Sequence, residues 1–204
     1  MKKLVIVSAG LLALALADAP SISAAPGSHS FAATCTSPVM RGDTAATILR
    51  RFGANARRET LPGAEGATYP GVVLYPRDPQ RRVEIAFSDD ARPHVSSIRI
   101  RGNSSTWSFG SMALGDGIPQ ITSSNGRAFT FSGFEWDYGG YVTDLKGGAL
   151  SHLPGGCTLG IRFSLPATVT STPEALMGDV QVQSTNPALR RLRSVVTELS
   201  LNWR

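Results

Sequence analysis

The sequence contains only two cysteines, Cys35 and Cys157, and they lie far apart along the chain. In an oxidising compartment such a pair forms a disulfide. Chain-entropy models assign a loop of this length roughly 4–5 kcal/mol of stabilisation. A redox or nucleophilic role is disfavoured, because there is no C-x-x-C motif and no histidine close to either cysteine. We therefore predict a single Cys35–Cys157 disulfide, which ties the start of the folded part to its second half.

The first 25 residues predict export. Lys2 and Lys3 give a positively charged start, residues 4–17 form an apolar run, and small residues up to Ala25 offer a cleavage site. The run is about 14 residues long, whereas a membrane-spanning helix needs roughly 20. We expect a signal peptide over residues 1–25 and an exported bacterial protein that resides in the periplasm or outside the cell.

The composition narrows the class of protein. The chain is 42% hydrophobic and 17% charged, which excludes a disordered, collagenous or coiled-coil protein. Its net charge is +5, but the arginines are scattered and form no long basic block. We therefore expect no nucleic-acid partner, and no later apolar stretch is long enough to predict a transmembrane segment.

Two glycine-bounded segments, Gly42–Gly53 and Gly115–Gly126, predict short helices. They match at four positions, namely Gly42 and Gly115, Asp43 and Asp116, Ile48 and Ile121, and Gly53 and Gly126. Alternating apolar and polar residues after each helix predict antiparallel strands. The predicted strands are 71–75, 82–87, 95–101, 127–131, 138–145, 158–163 and 195–203.

This pattern predicts an α+β protein made of two tandem halves, each a short helix followed by an antiparallel sheet, with one disulfide. We expect a signal peptide over 1–25, a flexible tail over 26–34, a first half over 35–110 and a second half over 111–204, with a helical insertion near 172–193. The insertion is predicted from proline-led helical turns before the last strand.

The spaced glycines and the Ile48 and Ile121 positions resemble a known bacterial envelope module. The chain resembles the helix-plus-sheet repeat of β-lactamase inhibitory proteins and of the small lipoprotein subunit of the outer-membrane barrel-assembly machine. The resemblance covers 42–87 and 115–163, and it implies a scaffold that binds proteins. The chain departs from the barrel-assembly family because it lacks a lipid-attachment cysteine.

The densest cluster of aromatic and acidic residues lies in 131–141. If this segment is extended, Phe134, Trp136 and Tyr138 point to one side and the two acidic residues to the other. Flanking glycines favour a protruding loop, and aromatic side chains with a polar tip are typical interface anchors. The competing interpretation is that the aromatic residues pack in the core. The candidate binding residues are Phe134, Glu135, Trp136, Asp137, Tyr138 and Tyr141.

Catalytic and metal-binding signatures are scarce in the sequence. Glu135 and Asp137 could serve as the carboxylate pair of a glycan-acting enzyme. Asp89, Asp90 and His94 could bind a metal, but a polar turn is the simpler interpretation. No Walker loop, dinucleotide fingerprint or Gly-x-Ser-x-Gly motif is present. We therefore predict no cofactor, no metal and no catalytic residue.

These observations favour a non-enzymatic periplasmic module that binds another envelope or extracellular protein, as an inhibitor or as an envelope-assembly accessory. One alternative is a protein that binds or acts on carbohydrate or peptidoglycan through 131–141. Another is an exported domain with a purely structural role. The sequence indicates no oligomeric state.

Overall fold

The computed structural model describes residues 31–104 and 106–203. The predicted signal peptide and residues 26–30 lie outside the described residues. The helices are α1 (Ala45–Phe52), α2 (Ile118–Asn125) and α3 (Leu189–Leu192). The strands are β1 (Phe31–Ala32), β2 (Ala56–Pro62), β3 (Thr68–Leu74), β4 (Val83–Phe87), β5 (Val95–Arg101), β6 (Trp107–Phe109), β7 (Met112–Ala113), β8 (Thr130–Ser132), β9 (Val142–Asp144), β10 (Thr158–Ser164), β11 (Gln181–Gln183) and β12 (Val195–Asn202). The predicted α+β class is confirmed.

A six-stranded antiparallel sheet in the order β10-β12-β5-β4-β3-β2 forms the centre of the fold. Strand alternation places apolar residues on its inner face, because successive side chains point to opposite faces. Val72 pairs with Ile85, Ile85 with Ile98, and Ile98 with Leu201. All four side chains are buried, and this row is the middle of the core.

Helix α1 packs against the inner face through Ile48, which is fully buried. Its start is fixed by a capping box, in which the Thr44 hydroxyl accepts from the Thr47 amide and the Thr47 hydroxyl accepts from the Thr44 amide. The amide of Gly53 closes the last turn by donating to the Leu49 carbonyl. The sequence prediction of a capped helix here agrees with the structure.

Strand β1 extends into the region predicted to be a flexible tail. It pairs in parallel with β6, and β6 pairs with β7 to form a small sheet. The ring of Phe31 lies 5.2 Å from that of Trp107, and the Arg81 guanidinium lies 4.7 Å from the Phe31 ring. Phe31 is therefore held by aromatic and cation–π contacts, which composition alone does not reveal.

A third sheet, in the order β11-β8-β9, lies beside β10. Phe129 and Phe131 flank the ring of Phe163 on β10, with ring centres 5.8 and 5.6 Å away. All three rings are buried. This aromatic cluster joins the small sheet to the central sheet, and Phe131 also packs against Phe134 at the start of the segment 133–141.

The predicted Cys35–Cys157 disulfide is confirmed, with 5.4 Å between the two Cα atoms. Gly155 makes the turn beside it possible. Its φ is +95°, and a Cβ atom there would lie 2.7 Å from the Cβ of Cys35. Only glycine combines that conformation with so close an approach.

The two predicted halves contribute to one central sheet. Strands β2–β5 follow α1, whereas β10 and β12 follow α2 and join the same sheet beside β5. The insertion predicted near 172–193 contains a single turn at Glu174–Leu176, then β11 and α3. The sequence duplication itself stays a prediction. In the described part of the chain, no helix is both long and apolar enough to cross a bilayer.

Candidate functional site

The aromatic segment 131–141 begins in β8 and continues as a loop that backbone hydrogen bonds hold at both ends. On one side the Gly133 amide donates to the Val180 carbonyl over 2.8 Å. On the other side the Gly140 amide donates to the Ser132 carbonyl over 3.0 Å. The loop is thus tied to a neighbouring segment and to its own base, which limits its conformational freedom.

The chain turns within this loop, so the extended alternation expected from the sequence does not occur. Glu135 has a φ of +65°, and the Gly139 amide donates to the Trp136 carbonyl across a tight turn. Gly140 has a φ of +77°, and a Cβ atom on it would collide with the Phe163 carbonyl. The glycine requirement and the turn together prevent a continuous strand through 134–140.

Phe134 anchors the loop from below. Its side chain is only 3% exposed, and its ring lies 5.6 Å from that of Phe131. Its backbone pairs with the neighbouring segment, since its amide donates to the Leu176 carbonyl and its carbonyl accepts from the Gly178 amide. Phe134 therefore positions the loop and is not available as a contact residue.

Trp136 and Tyr138 form the aromatic pair of the loop, in which Trp136 is half-buried and Tyr138 is exposed. Their ring centres lie 5.4 Å apart with the planes inclined at 62°, and the Trp136 indole donates to the Gly133 carbonyl. Tyr138 is 43% exposed, and its hydroxyl donates to Oε1 of Glu65 over 3.2 Å. The hydrogen bond to Glu65 raises the pKa of Tyr138, because it stabilises the protonated phenol.

A second segment, 172–180, runs beside the loop and adds apolar surface. Met177 bridges to Phe134 through the backbone, and the Thr172 hydroxyl donates to the Glu135 carboxylate. Met177 is 37% exposed and Val180 is 36% exposed. We call the combined patch the aromatic surface; it consists of Glu135, Trp136, Asp137, Tyr138, Met177 and Val180. Sequence reasoning missed the last two, because nothing local indicates that 172–180 lies beside 134–138.

Tyr141 faces away from the aromatic surface, onto the outer face of the central sheet. Its hydroxyl donates to Oε1 of Glu198 over 2.9 Å, and the Arg162 guanidinium lies 4.8 Å from its ring centre. Burial raises the pKa of Tyr141, and the nearby Glu198 carboxylate adds to this effect. Tyr141 is thus half-buried against the sheet. The same Arg162 guanidinium donates to the Gly139 and Asp137 carbonyls, so it links Tyr141 to the loop.

The outer face of the sheet carries a row of ion pairs. Arg82 binds Glu59 at 2.8 Å, and Glu84 accepts from Arg99 at 2.9 Å and from Arg101 at 3.1 Å. The sequence signal for this row is the alternation of charged with apolar residues in β4 and β5. Each of these carboxylates already binds an arginine, so the row is suited to stabilising the sheet rather than to acid–base catalysis.

Residues 88–94 form a polar turn, the simpler of the two interpretations of Asp89, Asp90 and His94. The Ser88 amide donates to the His94 carbonyl, and the His94 ring lies 3.5 Å from the Asp90 carboxylate. The turn borders a cleft of about 910 Å³ between β3, β4 and the start of α1. Within residues 31–104 and 106–203, no three or more histidine, cysteine or carboxylate side chains are grouped to bind a metal.

Comparison with known proteins yields no matching family model, no matching curated protein and no matching solved structure. The resemblance to envelope helix-plus-sheet modules therefore stays a prediction, and function must be inferred from the site itself.

Proposed function

We propose that the chain is an exported, non-enzymatic module that binds another envelope or extracellular protein through the aromatic surface. The observation that carries this proposal is the distribution of exposed large hydrophobic side chains. Among the described residues these are Met40, Tyr138, Met177 and Val180, and the last three lie in the two adjacent segments of the aromatic surface. Concentrated exposed apolar area is typical of interaction sites.

The chemistry of the aromatic surface favours a protein partner. Tryptophan and tyrosine offer large rigid areas with a polar tip, and they dominate binding energy at many interfaces. Backbone hydrogen bonds at Gly133 and Gly140 hold the loop in place, which lowers the entropy cost of binding. The confirmed disulfide is compatible with export, which the proposal includes.

An affinity capture from native envelope extract tests this proposal. The disulfide-intact protein is compared with the double variant Trp136→Ala/Tyr138→Ala. Met40→Ala is the matched control, because it removes the exposed hydrophobic side chain that lies outside the aromatic surface. Near-ultraviolet circular dichroism and thermal unfolding confirm that all three proteins fold.

We expect one protein to be retained by the parent and by Met40→Ala, and lost by the double variant. Retention by all three would show that the aromatic surface is not the binding site. Pelleting of the parent with purified insoluble peptidoglycan, lost only in the double variant, would assign the surface to glycan instead. Capture by none would leave a structural role as the better explanation.

A further inference from the structure

Two tyrosine–glutamate hydrogen bonds occur among the described residues, and a cation covers the tyrosine ring in only one of them. Tyr141 donates to Glu198, and Arg162 covers its ring at 4.8 Å. Tyr138 donates to Glu65 in the same way. Within the described residues, however, no arginine or lysine lies over the Tyr138 ring. The exposed pair therefore has an aromatic ring and a carboxylate but no guanidinium over the ring; Arg162 instead donates to the Gly139 and Asp137 carbonyls of the same loop.

Carboxylates around the exposed pair also lack cationic partners. The exposed acidic residues here are Glu65, Glu135, Asp137, Glu174 and Asp179. In the part of the chain that the structure describes, no arginine, lysine or histidine side-chain nitrogen lies within 4.0 Å of their carboxylate oxygens. The protein as a whole has a net charge of +5. The five carboxylates make this edge locally acidic even with the Arg162 guanidinium at the Asp137 carbonyl.

An arginine side chain suits the exposed Tyr138–Glu65 pair. A guanidinium can stack on an aromatic ring while its N–H groups bind a carboxylate at the ring edge. The same chain stacks Arg81 at 3.9 Å from the ring centre of Tyr75. A lysine ammonium satisfies the charge but lacks the planar fork, so it fits less well.

We infer that the partner presents an arginine-bearing cationic segment, whose guanidinium stacks on Tyr138 and pairs with Glu65 and Asp137. This inference rests on the proposed function, which places the partner on the aromatic surface. It adds the partner's chemistry. The support is charge complementarity and the stacking of a guanidinium on a tyrosine ring, which Arg162 shows on Tyr141 and Arg81 on Tyr75.

Nuclear magnetic resonance titration tests the inference with defined probes. The ¹⁵N-labelled, disulfide-intact protein is titrated with an arginine-rich peptide, a lysine analogue and a glutamate analogue. We expect the arginine peptide to shift the resonances of Tyr138 and Glu65, and to bind more tightly than the lysine peptide. Glu65→Gln should weaken its binding roughly 3- to 10-fold, whereas the exposed control Asp89→Asn should leave it unchanged.

Equal binding of the arginine and glutamate peptides would overturn the inference, as would arginine binding that is insensitive to Glu65→Gln. Absence of any shift at Tyr138 up to millimolar peptide would do the same. Arg190, Arg191 and Arg193 are exposed on this chain, so a second copy is the competing occupant. If sedimentation velocity shows a dimer that the Glu65→Gln substitution dissociates, the occupant is a second copy of this chain. That result would overturn the inference of a different partner protein.

The two proposals fail separately. Suppose that a protein is captured through Trp136 and Tyr138, and that neither added salt nor Glu65→Gln changes its retention. This result would support the proposed function and refute the inference that the partner presents an arginine. Specific arginine-peptide binding without any captured protein would support the arginine site and refute the proposed function.

Discussion

Tyr138 and Tyr141 lie close together in the chain, and each hydroxyl donates to a glutamate, yet their surroundings are opposite. Tyr141 lies half-buried on the outer face of the sheet, where Arg162 covers its ring. Tyr138 lies exposed on a turn, with a carboxylate partner but no cation over its ring among the described residues. The difference shows that the same tyrosine–glutamate hydrogen bond is part of the packing against the sheet at Tyr141 and is open to solvent at Tyr138.

Loss of a carboxylate should lower the stability of the protein far more in the ion-pair row of the central sheet than at the exposed edge beside Tyr138. Glu84→Ala leaves Arg99 and Arg101 without their shared partner, and Glu84 and Arg99 are largely buried. We expect a loss of about 2–4 kcal/mol in the free energy of unfolding, measured by urea denaturation. Glu65→Ala on the open side is the control and should match the parent. A similar loss in both variants would contradict the distinction between the two regions.

Removal of the tyrosine hydroxyls gives the next largest difference. Tyr141→Phe deprives Glu198 of a donor in a half-buried position, and we expect it to cost about 1 kcal/mol of unfolding free energy. Tyr138→Phe should leave stability unchanged, because the Glu65 carboxylate is exposed and water replaces the donor. Thermal and urea unfolding of the two variants side by side measure the difference, and equal effects would remove the asymmetry.

The pKa values of the two tyrosines are raised for different reasons, and alkaline titration separates the causes. The hydrogen bond to Glu65 is the main cause for Tyr138, so Glu65→Gln should return its pKa towards the ordinary value of about 10. Burial is the main cause for Tyr141, so Glu198→Gln should leave its pKa raised. Tyrosinate absorbance in single-tyrosine difference spectra measures both changes, and a fully normal pKa in Glu198→Gln would contradict the role of burial.

The raised pKa of Tyr141 also affects stability at high pH. The folded state holds the phenolic proton more tightly than the unfolded state, so this contribution is complete below about pH 10. It is lost as the pH rises through the pKa of the folded protein. Urea denaturation across this range should show a smaller alkaline loss in Tyr141→Phe than in the parent. An identical pH profile would refute the linkage.

The smallest expected effect concerns the electrostatic potential around the exposed Tyr138–Glu65 pair. Trp107 and Trp203 are buried, so Trp136 is the tryptophan that an added quencher reaches most readily. Each quenching constant is divided by that of free N-acetyltryptophanamide, because iodide is intrinsically the stronger quencher. The normalised constant for caesium should exceed that for iodide by about 1.5- to 2-fold at low ionic strength, because the nearby carboxylates attract cations. The double variant Glu65→Gln/Asp137→Asn should reduce that preference. A larger normalised constant for iodide would indicate that the edge is not acidic.

Local patterns predicted much of the fold. The capped α1 and the alternating residues of β5 were predicted within a few residues, and the disulfide followed from cysteine count and compartment. Strand β2 was missed because Leu61 is its only fully buried residue, which gives almost no periodic signal. The pairing of β12 with β5 joins distant parts of the chain, and that long-range register has no local signature.

The candidate site was predicted in residue identity more than in geometry. The cluster around Trp136 and Tyr138 stands out by composition, but the alternation suggested a strand where the chain turns. Glu65, which binds Tyr138, comes from the β2–β3 connection, and Met177 comes from the insertion. Tertiary packing brings these residues together, and the local sequence of each segment does not indicate which other segment lies beside it.

Strand β2 has a further consequence for how this protein behaves when concentrated. It lies at the open margin of the central sheet, where unpaired backbone groups could template another strand. A parallel, in-register copy would place Arg57 and Arg58 opposite their own counterparts, and Pro62 offers no amide hydrogen at the end of the strand. These residues therefore oppose the in-register stacking of β2 that fibril growth from this margin requires.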